Sequence, residues 1–107
     1  MMKSIAIALA AAAVLACGSQ ARAADAGEDL AKNSGCLACH SIDKKLVGPS
    51  YKDIANKYRG DKAAPAALAK KVKEGGKGVW GDIPMTPNAH VKDADIATIV
   101  NWILTLK

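Results

Sequence analysis

Phenylalanine is absent from the 107 residues, and two tryptophans and two tyrosines make up the whole aromatic complement. A chain this short already has an unfavourable surface-to-volume ratio, and without aromatic bulk its core is thin. Some staple beyond plain hydrophobic burial is therefore expected. Arginine is scarce as well: Arg22 and Arg59 stand alone, so the formal net charge of +5 rests on lysine. With neither arginine stripes nor aromatic platforms, and with no nucleic-acid motif, DNA and RNA are excluded as expected partners. No stretch alternates apolar and polar residues for the length of a strand, which favours an all-α fold. The length allows one domain and excludes two-domain enzymes, doubly wound sheets and repeat arrays.

What is present begins with an address. Lys3 precedes an apolar run from Ile5 to Ala16, too short to cross a bilayer but suited to the core of a signal peptide. Ala21-Arg22-Ala23 then offers small residues at both recognition positions. Cleavage is expected after Ala23, making residues 1–23 a secretory signal and 24–107 the mature domain. Cys17 follows Val14-Leu15-Ala16 in a lipobox-like order, so lipid anchoring at Cys17 is the second reading. Cleavage after Ala23 leaves Cys36 and Cys39 as the mature cysteines, in an oxidising compartment where a disulfide is the default. A bridge between cysteines three apart removes little unfolded-state entropy. The pair needs another explanation.

Breakers divide the mature chain into helical patterns. Leu30 and Ala31 belong to a first short helix, with Asp25, Glu28 and Asp29 near its positive end and Gly35 stopping it. Ser50 is placed to cap a second, with Asp53 three residues on; Tyr51, Ile54, Ala55 and Tyr58 share one face, and Gly60 ends it. A third runs from Ala64 to Glu74, with Pro65 in its first turn, Leu68 and Val72 inward and Gly75-Gly76 as the stop. Asp93 caps the last, in which Ile96, Ile99, Val100, Ile103 and Leu104 form one apolar stripe. The connection at residues 75–92 is long and rich in glycine and proline, and long ordered loops in compact domains are usually functional.

The sharpest signal is Cys36-Leu37-Ala38-Cys39-His40, a C-x-x-C-H haem attachment sequence. Two thiols one turn apart can add to the two vinyl groups of a haem, and the following imidazole is then placed to ligate the iron. Three other readings compete. A thioredoxin-like pair wants a βαβ context, which the sequence lacks. A zinc site needs four ligands, and only His90 remains as an obvious fourth. A plain disulfide gives His40 no role. A six-coordinate haem iron needs a second axial ligand, commonly Met or His. Met85 is the mature chain's single methionine, held between Pro84 and Pro87 in a loop rather than on a helix face. Those prolines restrict the backbone and can fix the thioether. His90 is the rival ligand.

These residues, with Lys45-Leu46-Val47-Gly48-Pro49-Ser50-Tyr51, Gly78-Val79-Trp80-Gly81 and Ile83-Pro84-Met85-Thr86-Pro87-Asn88, give the mature chain a close resemblance to small bacterial class I cytochromes c of the c551/c552 (c8) type. The resemblance implies an all-α fold of four to five short helices around one haem c, bound through Cys36 and Cys39. It implies His40 as proximal and Met85 as distal iron ligand. It also implies that the Pro49 carbonyl accepts from the His40 ring, that Trp80 donates to a haem propionate, that Asn88 lies near the Met85 sulfur, and that Lys71 lies near a propionate. The function implied is that of a monomeric periplasmic electron carrier with no catalytic residues and no stable membrane insertion. Its implied partners are redox proteins such as a cytochrome bc1 complex, a terminal oxidase or a nitrite reductase. Lys32, Lys44, Lys45 and Lys77 flank the haem-bearing segments and could steer acidic partners. A haem sensor or peroxidase-like protein with a displaceable distal ligand is the alternative.

Overall fold

A computed structural model describes residues 19–107, so the apolar run at residues 5–16 and Cys17 lie outside the described part. Its order is α1 (Ser19–Asn33), a 3-10 turn at Cys36–Ala38, α2 (Tyr51–Tyr58), α3 (Ala64–Glu74), β1 (Gly76–Gly78), β2 (Gly81–Met85) and α4 (Asp93–Leu104). Among the described residues no helix is long and apolar enough to cross a membrane.

The apolar stripe of α4 makes it the centre of the molecule. Ile99, Trp102 and Ile103 pack with Ala31 of α1 and Tyr51 of α2, joined by Leu30, Leu37, Ile42 and Ile54. Ile96 and Val100, with Val91 just ahead of the helix, pack against Leu68, Ala69 and Val72 of α3. The helical pattern in the sequence thus places one flank of α4 against α1 and α2 and the other against α3.

The crossing of α1 over α4 depends on an absent side chain. A Cβ on Gly27 would overlap Trp102 Cβ, lie 2.7 Å from Trp102 Cγ and stand 3.2 Å from the Thr98 carbonyl oxygen. Neither a Cβ nor a backbone carbonyl can swing aside, so Gly27→Ala should force the helices apart. Overpacking costs roughly 1–3 kcal/mol, and the gain in helix propensity of about 1 kcal/mol only partly offsets it. A net loss of up to about 2 kcal/mol, read as a lower denaturant midpoint of the holoprotein, is expected.

Several local expectations hold and others shift. The Ser50 hydroxyl accepts from the Asp53 amide at 3.1 Å, as the capping spacing suggests. α3 has the expected bounds, with Pro65 in its first turn. α1, however, extends upstream of Ala24, so Glu28 and Asp29 sit within it and its first turn carries no acid. Glu28 pairs instead with Lys32 one turn on, at 3.6 Å. At α4 the cap position belongs to Lys92, and Asp93 is the first helical residue, paired with Lys73 at 3.0 Å.

The first half of the 75–92 connection is a small antiparallel ribbon inside an otherwise helical fold. Gly76 faces Met85 and Gly78 faces Gly81, with the irregularity taken up along β2. Alternation could not reveal this ribbon, because three of its residues, Gly76, Gly78 and Gly81, have positive φ and no side chain to alternate. Val79 and Trp80 form the turn between its strands. Pro84, which has no N–H to give a ladder, falls within the irregular stretch.

Candidate haem site

Both core clusters contribute to one cavity of about 730 Å³, lined by Ile99 and Ile103 on one flank of α4 and Val100, Leu68 and Val72 on the other. That volume is of cofactor scale. All eight residues singled out above, Cys36, Cys39, His40, Pro49, Lys71, Trp80, Met85 and Asn88, line it. His90, the rival ligand, is exposed and lies outside that lining. Of the flanking lysines, Lys45 and Lys77 border the cavity, while Lys32 and Lys44 do not.

The segment after α1 is wound so that His40 cannot turn freely. Its amide and that of Cys39 both donate to the Cys36 carbonyl, at 3.0 and 3.2 Å, and the Gly48 amide returns to the Cys39 carbonyl at 2.8 Å. The chain therefore doubles back, bringing Pro49 to the imidazole: His40 Nδ1 lies 2.8 Å from the Pro49 carbonyl oxygen. A carbonyl can only accept, so Nδ1 carries the proton and Nε2 keeps its lone pair for a metal. Gly48 makes the approach possible, since a Cβ there would stand 2.8 Å from Nδ1 and 2.5 Å from Cε1 of His40. The imidazole also stacks on the Tyr51 ring, with centroids 5.2 Å apart, and Tyr51 in turn meets Trp102 edge-on at 5.5 Å.

Cys36 and Cys39 are both free thiols, Cys39 exposed and Cys36 half-buried. Burial raises the Cys36 thiol above its ordinary value, and a hydrogen bond from the Tyr51 hydroxyl only partly offsets this. Burial likewise raises the Tyr51 hydroxyl, reinforced by the neighbouring Cys36. Both groups stay neutral at physiological pH. Among the described residues no three His, Cys, Asp or Glu side chains converge as a metal-ion site, so Cys36, Cys39 and His40 have no zinc-like set.

Met85 ends β2 at the same cavity, and its loop is anchored to α3. The Asn88 amide nitrogen lies 3.1 Å from the Val72 carbonyl and 3.2 Å from that of Lys73, and its side-chain Nδ2 donates to Val72 and Thr86, each at 3.1 Å. These bonds satisfy carbonyls left open at the end of α3. The Asn88 side chain therefore secures the loop, with its donors taken by backbone oxygens. Lys73 Nζ holds the far end, donating to the Val91 carbonyl at 2.7 Å. Gly75, with φ of 72°, permits close passage: a Cβ there would overlap the Met85 carbonyl and stand 2.9 Å from Pro87 N.

The remaining lining is apolar and open. Val47, Val79, Trp80 and Ile83 border the cavity yet remain between 43 % and 63 % exposed. So much apolar surface around one concavity marks a ligand face. A large, flat, mostly apolar group that offers two thiol-reactive carbons and a metal with two open positions suits this donor set. Haem fits that description.

A family model described as cytochrome c matches residues 24–107. The chain belongs to the cytochrome c family. This cytochrome is 58 % identical over 77 residues to cytochrome c-551 of Allochromatium vinosum, covering 72 % of this chain and 82 % of that protein. It is 54 % identical over 84 residues to cytochrome c-552 of Nitrosomonas europaea, covering 78 % and 82 % of the two chains. A crystal structure of the Nitrosomonas europaea cytochrome superposes with a TM-score of 0.73 at 54 % identity, covering 75 % of this chain and 99 % of that one. The small c551/c552 type and its class I fold are thus those of this cytochrome.

The helical pattern in the sequence places Tyr51 only on one face of α2, and the spacing attaches no steric role to Gly48. The Gly48-Pro49 dipeptide signals a turn, but nothing in it says that an imidazole lies against the turn.

Proposed function

We propose that this cytochrome is a periplasmic one-electron carrier, matured by cleavage after Ala23, that shuttles between respiratory redox proteins and catalyses no reaction of its own. Haem, when bound, supplies an iron that alternates between ferric and ferrous states. Cys36 and Cys39 would hold it by thioether bonds, and His40 Nε2 and the Met85 sulfur would ligate its iron. The observation that carries this reading is the convergence of His40 and Met85 on one apolar cavity, with Nε2 left free by the Nδ1 bond to Pro49.

The chain's own groups have distinct tasks. The Pro49 carbonyl fixes the His40 ring and raises its basicity, which favours the ferric state. A thioether is the softer donor and favours the ferrous state, so a His/Met pair sets a higher potential than two imidazoles would. Apolar lining from α3 and α4 excludes water and penalises net charge. Trp80 and Lys71, both on the cavity lining, are the groups assigned to the propionates, and Asn88 acts through the loop that carries Met85. Lys45 and Lys77 flank the opening and offer positive charge to an acidic partner, such as a cytochrome bc1 complex, a terminal oxidase or a nitrite reductase.

A redox titration of the purified holoprotein tests the proposal. One reversible one-electron wave with no turnover of added peroxide is expected; sustained peroxide reduction would refute the carrier reading.

A further inference from the structure

Lys57, in the last turn of α2, holds its ammonium over two rings, 5.6 Å from the centroid of Trp80 and 5.8 Å from that of Tyr58. Both distances fall within cation–π range. Tyr58 belongs to the same helix, but Trp80 belongs to the turn of the β1–β2 ribbon, and both rings line the cavity. No backbone hydrogen bond outside the regular elements links α2 to the ribbon. The ribbon's turn residues are exposed, and Gly76, Gly78 and Gly81 at positive φ make its backbone easy to deform. Met85 lies at the foot of the same ribbon, paired with Gly76.

We propose that Lys57 is a positioning residue that ties the Trp80 turn to α2 across the cavity's edge and so steadies the strand that leads to Met85. The inference rests on the haem reading above, because the ribbon's order matters most if Met85 is a ligand. Lys57 also fixes one positive charge beside the cavity, which disfavours the more positive ferric state. Other cations facing the ribbon act in the same sense: Lys71, whose Nζ would stand 2.8 Å from a Cβ on Gly76, and Lys77 on β1 itself. Asp82 on β2 opposes them. None of these carries the ring contact, and that separates Lys57 from a general effect of surface charge.

The test compares wild-type, Lys57→Gln and Lys57→Arg holoproteins by native-state hydrogen exchange and by redox titration. An exposed cation–π contact is worth enough to change a local opening equilibrium about two- to fivefold. Lys57→Gln should therefore speed exchange at residues 76–85 by about that factor, leave the protected amides of α4 unchanged and lower the potential. Lys57→Arg, whose guanidinium also stacks on aromatic faces, should restore both properties. Wild-type exchange rates in Lys57→Gln would overturn the proposal, as would acceleration spread evenly over the whole chain or a failure of Lys57→Arg to rescue. Wild-type protein that takes up no haem would instead refute the haem reading, so the two failures are told apart.

Discussion

Denied its haem, by expression of a Cys36→Ala/Cys39→Ala variant without a haem attachment system, the mature chain will be largely unfolded. The residues meeting at the cavity, Ile99, Val100, Ile103, Leu68 and Val72, are the same ones that build the two core clusters. Without haem these side chains face an open cavity of about 730 Å³ and lose the group they pack against. Native stabilities of about 5–15 kcal/mol leave little to offset the loss of packing in both clusters at once. Far-ultraviolet circular dichroism should show most of the helical signal gone, with no cooperative thermal transition. A cooperative transition at the temperature of the holoprotein would mean that the four helices hold together unaided.

The second large effect falls on a glycine. Gly48→Ala places a methyl group 2.8 Å from His40 Nδ1, so ring and turn must separate and the bond to the Pro49 carbonyl is strained or lost. Overpacking at roughly 1–3 kcal/mol, with about 1 kcal/mol for the hydrogen bond, gives a destabilisation of about 2–4 kcal/mol. Unlike Gly27→Ala, which should move stability alone, Gly48→Ala should also change the iron site. The slowly exchanging Nδ1 proton of His40 should disappear from the proton spectrum of the ferrous protein, and the potential should shift. Retention of that proton at an unchanged potential would show that the turn gives way without disturbing the imidazole.

Much of this molecule was legible because its helices obey simple rules. The stripe from Ile96 to Leu104 specified the central helix, and the Gly75-Gly76 stop fixed the end of α3 to the residue. Ser50 caps α2 as its spacing suggests, whereas at α4 the acidic residue that reads as the cap, Asp93, lies just inside the helix. The ribbon was not legible, since its order lies in glycine backbone and leaves no side-chain pattern. The eight site residues that share the cavity came partly from the attachment motif and partly from resemblance. Their local partners were harder to foresee. That the Asn88 side chain caps the end of α3, or that Tyr51 lies between the His40 and Trp102 rings, depends on tertiary approach that no spacing encodes.

Absorption spectroscopy of the ferric holoprotein, wild type beside Met85→Ala, tests the central claim most directly. Sulfur ligation to ferric haem gives a weak band near the red edge of the visible spectrum. Ligation by His40 and Met85 predicts that band in the wild type and its loss in Met85→Ala, with the thioether-bound haem retained through denaturing electrophoresis. A wild-type spectrum without the band, or a band that survives the substitution, would contradict the account.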